Sequence, residues 1–179
     1  MELATQLQTS AIPRFDEVFR EHAPLAWRAL RRLGVREADI EDLCQDVFVV
    51  VHRKLPEFEG RAKLSTWIYG ICVRVAADHR KRAHLRHESE SDVVPEGRQS
   101  APQLNDVAQH QARALLDAVL AELDDDKRAV FVLYEIEELP MAEVAVAVGA
   151  PLQTAYSRLH AARKFVTETI ARRAEGGAT

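Results

Sequence analysis

The sequence is short of the residues that interrupt helices and of those that staple small folds. Its 179 residues include only seven glycines and seven prolines. Between them, apolar residues recur at helical rather than alternating spacing, so no strand is expected and the fold reads as all-α. The two cysteines, Cys44 and Cys72, lie far apart inside apolar patterns. That suits buried thiols in a reducing compartment better than a disulfide framework or a zinc site. Residues 1–13 lack a basic start followed by an apolar run, and no segment approaches the roughly 20 apolar residues that span a bilayer. A soluble, cytoplasmic chain without membrane insertion is expected. Positive charge is not in excess either. The formal net charge is −4, so a nucleic-acid partner has to be argued from local clustering.

What is present supports two small cores, since 47% of the residues are hydrophobic. One helix is expected from about Phe15 to Leu33, built on Phe15, Val18, Phe19, Leu25, Ala26, Ala29, Leu30 and Leu33 and ended by Gly34. Pro24 falls inside it, where a proline kinks or breaks a helix. A second helix is expected to start at Asp39 as N-cap and to bury Ile40, Leu43, Cys44, Val47, Val50 and Val51. A third, capped by Ser65, buries Trp67, Ile68, Ile71, Cys72 and Val75. From His87 to Asp106 the periodicity collapses into Glu, Ser, Asp, Pro and Gly, which reads as a flexible acidic linker. The expected layout is therefore two helical domains, 14–86 and 107–173, joined by the linker 87–106. Residues 1–13 and 174–179 are expected to be disordered. The second domain opens with a helix through Val107, Leu116, Val119 and Leu123, followed by a helix capped by Asp125 or Asp126. A short helix, Met141 to Val148, then meets Gly149-Ala150-Pro151 and a final helix from Leu152 toward Arg172. Two helices across a turn of three or four residues make a helix-turn-helix.

Three constellations stand out. The final helix offers Thr154, Ser157, Arg158, His160, Arg163 and Lys164 on a polar, positive face, opposite Leu159, Ala162, Phe165 and Val166. Such a face suits base edges and phosphates in a major groove, and it also suits mere solvation. Between Arg61 and Arg86 there are seven cations (Arg61, Lys63, Arg74, Arg80, Lys81, Arg82, Arg86) and one acid, Asp78. In a negatively charged chain this clustering, near Phe58, Trp67 and Tyr69, suits a single DNA strand, with Trp67 itself read as a core residue rather than a base contact. The alternative leaves the cations as favourable charges at a helix C-terminus. Third, the helix carrying Asp39, Glu41, Asp42, Gln45 and Asp46 sets Phe48 and Val49 off its apolar stripe, among acids, as an interface centre would be.

Enzyme readings find less support. His84, His87 and Glu88 run into the linker and form no HExxH arrangement, and no glycine-rich phosphate loop exists. No Ser-His or Cys-His pairing stands out, and the acids Asp124-Asp125-Asp126 read as helix capping rather than a metal site. No enzyme activity, metal or cofactor is expected.

In order along the chain, these constellations resemble the extracytoplasmic-function class of bacterial RNA polymerase sigma factors, over about residues 14–172. The stretch from Ala38 to Phe48 is similar to the segment that docks on the clamp helices of the polymerase's largest subunit. Leu64-Ser65-Thr66-Trp67-Ile68-Tyr69 followed by Ala77-Asp78-His79-Arg80-Lys81-Arg82 resembles the segment that melts and reads the minus-10 element. Glu143-Val144-Ala145, Gly149 and Ser157 through Arg163 resemble the helix-turn-helix that reads the minus-35 element. The resemblance implies core-polymerase contacts by Asp39, Glu41, Asp42, Gln45, Asp46, Phe48 and Val49. It implies minus-10 contacts by Arg61, Lys63, Ser65, Trp67, Arg74, Asp78, Arg80, Lys81 and Arg82, and minus-35 contacts by Thr154, Tyr156, Ser157, Arg158, His160, Arg163 and Lys164. Its implied partners are the core polymerase, through its largest and second-largest subunits, promoter DNA and an anti-sigma factor. The chain departs from the family's usual residues at Arg74, Ala155, Tyr156, Ala161 and Asp124, so the promoter sequence does not carry over. Two competing readings are a stand-alone helix-turn-helix repressor or activator, which would need a dimer face, and a helical adaptor without DNA contact.

Overall fold

The computed structural model describes residues 13–89 and 107–176. The expectations for residues 1–12, 90–106 and 177–179, which include most of the linker, lie outside the described residues. Among the described residues there are seven α-helices and no strand. The first domain is a three-helix unit of α1 (Phe15–Arg32), α2 (Glu37–Lys54) and α3 (Leu64–Ser89), with a 3-10 turn at Leu55–Glu57. Helix α1 places Asp16 and Glu17 in its first turn and Arg31 and Arg32 in its last, matching the helix dipole at both ends. It runs unbroken through Pro24, which is exposed, as is Arg20 one turn earlier, so the carbonyl that the proline leaves unpaired faces water. Ala26, Ala29, Leu30, Ile40, Val47, Val51, Ile68, Ile71 and Cys72 interlock as the core between α1, α2 and α3. Each fully buried Leu, Ile or Val among them contributes roughly 1.5–3 kcal/mol.

Helix starts differ from the sequence expectation. Arg36, not Asp39, precedes α2, and the Asp39 carboxylate instead accepts from Arg36 Nε at 2.8 Å and pairs with His79 at 3.2 Å. Ser65 lies inside the first turn of α3 rather than capping it. The helical part of α3 also extends to Ser89, past the expected linker start.

The second domain consists of α4 (Val107–Ala121), α5 (Asp125–Phe131), α6 (Met141–Val148) and α7 (Leu152–Gly176). Asp124, one residue before the expected caps, closes α5 by accepting from the Lys127 N–H at 2.9 Å. Helix α5 continues into a wider π-turn at Val132–Ile136, and Glu138 then adopts a left-handed φ of 54° before Pro140 starts α6. Gly149, at φ 64°, ends α6 in the left-handed conformation that glycine alone reaches without strain, so the turn into α7 is tight. Val130, Leu133, Val144, Ala155, Leu159 and Ala162 form this domain's core. Helix α6 also packs on α3, and the buried apolar residues of both domains join in one cluster.

Candidate functional site

Helix α2 turns Glu41, Asp42, Gln45, Asp46 and Val49 outward, Val49 at 47% exposure. Among the described residues Glu41, Asp42 and Asp46 take part in no ion pair, so this face carries uncompensated charge. Phe48 requires a correction. It is 3% exposed, not off the apolar face, because α1 brings Phe15 and Phe19 against it, Phe19 edge-on at 4.8 Å between ring centroids. The acidic face is therefore floored by an aromatic group, with Phe19 itself 46% exposed.

At the start of α3, Phe58 and Trp67 pack with ring centroids 5.2 Å apart, leaving Trp67 partly buried as a wedge between loop and helix. Arg61 and Lys63 are exposed, Arg61 beside Glu59. Ser65 is half-buried. Arg74, Asp78, Lys81 and Arg82 are exposed along one side of the helix, Arg82 Nε donating to the Asp78 carbonyl at 3.3 Å. Arg80 departs from the expected set. It turns inward, donates to the Leu33 carbonyl at the end of α1, and pairs with Asp125 of the second domain at 2.8 Å. The Arg86 side chain lies outside the described residues.

Helix α7 presents Tyr156, Ser157, His160, Arg163 and Lys164 to solvent, with Thr154 and Arg158 half-buried. Ser157 Oγ donates back to the Gln153 carbonyl at 3.0 Å. The cations are already neutralised within the chain: Arg158 holds Asp126, Arg163 holds Glu135 at 2.5 Å, and Lys164 sits 3.9 Å from Glu168. Arg163 also lies over the Tyr134 ring, 5.5 Å from its centre, and its bond to Glu135 raises its already high pKa. Ala155 is fully buried and Ala161 half-buried, so these departures from the usual residues fill the interior side of the helix. Tyr156, at 48% exposure, is the departure that faces outward.

Groups absent from the expected sets also tie the two domains together. Glu143 of α6 accepts from Thr66 Oγ1 at 2.5 Å and pairs with Lys63 at 2.9 Å, and these contacts hold its carboxyl below the usual range, Thr66 contributing most. Glu137 accepts from Tyr69 and from Arg32. Burial, then the Glu137 bond, keeps the Tyr69 phenol protonated far above its ordinary range. Arg128 is 5% exposed and donates to the carbonyls of Leu120 at 2.6 Å, Ala121 at 2.7 Å and Leu123 at 2.9 Å, and across to Leu33 at 3.1 Å. Burial, with Arg80 alongside, lowers its pKa. Cys72 is buried and Cys44 half-buried, and burial pushes both thiols up, away from the reactive thiolate.

Comparison with known proteins agrees with this geometry. Residues 18–86 match the family model of Sigma-70 region 2, and residues 113–166 match that of Sigma-70 region 4. The chain is 31% identical over 169 residues to the ECF RNA polymerase sigma factor SigE of Mycolicibacterium smegmatis, covering 91% of this chain and 64% of that protein. It is 27% identical over 142 residues to the RNA polymerase sigma-H factor of Pseudomonas aeruginosa, covering 74% of this chain and 73% of that one. Its fold is similar to that of the sigma factor RpoE from Bartonella quintana, solved in complex with the anti-sigma factor NepR, with a TM-score of 0.71, 19% identity and coverage of 88% and 96% of the two chains. Region 2 on the α1–α3 unit, region 4 on the helix-turn-helix unit and the named relatives together place the chain in the Sigma-70 family, among the ECF RNA polymerase sigma factors.

Proposed function

We propose that this chain is a sigma factor that binds bacterial RNA polymerase core and directs promoter-specific initiation. The observation that carries the reading is the presence of both regions, in family order, on two helical units, the first with an unpaired acidic face on α2 and exposed cations on α3. The uncompensated acids of α2 suit a cationic docking surface on the largest polymerase subunit. Arg61, Lys63, Arg74, Lys81 and Arg82 line the side of α3 that meets the opened minus-10 strand, with the Phe58–Trp67 wedge beside them. Tyr156, Ser157, Arg158, His160, Arg163 and Lys164 of α7 read the minus-35 duplex. The chain acts where the polymerase is, in the cytoplasm, as a non-enzymatic factor: the polymerase makes the RNA. An anti-sigma factor, of the kind that holds the Bartonella relative, is its expected regulator. The free chain binds promoters weakly, because two tethered short modules gain affinity only when polymerase fixes their separation.

Co-elution of the full chain with purified core polymerase tests the reading. A stable complex is expected; a chain that elutes alone, yet binds a palindromic duplex as a dimer, would make it a stand-alone repressor or activator instead.

A further inference from the structure

The contacts between the domains involve the very side of α3 that a single DNA strand would use. Glu143 places a carboxylate on Lys63 and the Thr66 hydroxyl, a cation and a donor that together would suit a phosphate. Glu137 places a second carboxylate on Arg32 and Tyr69. Both acids come from the short stretch around the π-turn and α6, where the left-handed Glu138 redirects the chain between them. On the other flank, Arg128 of the second domain and Arg80 of the first share the Leu33 carbonyl at the end of α1.

Gly70 supplies an independent sign that this contact is built into the sequence. It lies in the interior of α3, where glycine costs about 1 kcal/mol relative to alanine. A Cβ there would sit 3.0 Å from the carbonyl oxygen and 3.4 Å from the Cα of Ala147 in α6. Glycine thus gives up helix stability at a point where the α6 backbone comes close.

We propose that the chain is self-inhibited by this contact: the helix-turn-helix domain is seated on α3 and covers part of its strand-binding side. Glu143 and Glu137 act as the latch, and Gly70 provides the seat. The inference rests on the assignment of α3 to the opened strand. A polar, charged latch over a close helix crossing suits reversible opening, since carboxylate and phosphate compete for the same Lys63 and Thr66 groups. Affinity for DNA falls by the fraction of chains that are open, so a closed-to-open ratio of about ten would weaken apparent binding about tenfold.

Two variants of the full-length chain test the proposal through different physics. Gly70→Val wedges the helices apart without changing charge; E137Q/E143Q removes the latch anions while keeping side-chain size. Small-angle scattering would report the overall dimension, and fluorescence anisotropy the binding of a labelled single-stranded oligonucleotide, without polymerase. The expected result is a larger radius of gyration for both variants and about tenfold tighter oligonucleotide binding. Circular dichroism with wild-type helicity would confirm that each is folded, and the double variant answers alone if Gly70→Val is not. Variants as compact as the wild type would overturn the proposal, as would a wild type already as extended as the variants, or opening without any gain in binding. Co-elution of the wild type with core polymerase reports separately on the sigma-factor assignment, so the two can fail independently.

Discussion

Helices α2 and α7 each bury one apolar face and turn a charged one outward, but the two charges are held differently. On α2, Glu41, Asp42 and Asp46 point into solvent without an ion pair among the described residues. On α7, Arg158, Arg163 and Lys164 already face Asp126, Glu135 and Glu168. A partner meeting α2 gains the full attraction of unpaired acids. DNA meeting α7 has to exchange one anion for another, which lowers the net gain and leaves geometry to decide which duplex is preferred. A strand meeting α3 as proposed would face the same exchange, since Lys63 is held by Glu143 and Arg80 by Asp125. On the proposed function, docking to polymerase would be set by charge that is exposed from the start, and DNA reading by charge that has first to be released.

Substitutions can sharpen or break this contrast. The largest effect is expected from the group that serves neither surface. Arg128→Met strips the donors from several buried carbonyls at the end of α4, and about 3 kcal/mol of stability should be lost in urea unfolding of the whole chain. A loss under 1 kcal/mol would mean that water satisfies those carbonyls. Next, D42K/D46K reverses the free acids of α2 and should weaken core-polymerase binding by at least about tenfold with an unchanged melting curve; equal affinity would place docking elsewhere. Arg158→Ala should weaken minus-35 duplex binding by about tenfold, roughly 1–3 kcal/mol if the side chain reaches a base edge. Because it also frees Asp126, a smaller loss than for a solvent-facing cation would fit the exchange picture, and no change would remove Arg158 from the DNA surface.

The smallest effect concerns Asp124. Burial alone would raise its carboxyl pKa, but the Lys127 hydrogen bonds and charge outweigh that and lower it. A depressed carboxyl stabilises the fold above its unfolded value, near 3.8, and that stabilisation disappears as pH falls through the lower folded value. Asp124→Ala should therefore cost about 1 kcal/mol at neutral pH. Once the pH has fallen through that lower folded value the variant and the parent should converge; a difference that persists there would show that the cap acts through something other than its charge.

Local features were legible in the sequence wherever one helix carried its own signal. Met141–Val148, the Gly149 stop and the opening of α7 follow from periodicity and glycine chemistry, and the structure places them where those signals lie. Capping was less legible, because several acids in a row, as at Asp124–Asp126, offer equivalent caps until the tertiary entry angle selects one. Phe48 was misread because the helix that buries it, α1, supplies its aromatic neighbours from 29 to 33 residues away, at Phe19 and Phe15. Arg80 was expected among the DNA-facing cations and Arg128 carried no mark in the sequence, yet both run inward to the same carbonyl, a contact set by how the domains meet. Glu137 and Glu143 carry no local mark of their role, since their partners Arg32, Tyr69, Thr66 and Lys63 all lie on the other domain. Gly70 was the one available hint: a glycine inside a helix marks a place where another backbone comes close.

The assignment as a promoter-specificity factor is tested most directly by in vitro transcription with the purified full-length chain, bacterial core polymerase and a genomic fragment library, with RNA 5′ ends mapped. Transcripts starting at a small set of discrete sites that share two upstream sequence elements, dependent on the chain and reduced by Arg158→Ala, are the expected result. A core enzyme that responds to another sigma factor but gives no chain-dependent start would contradict the assignment.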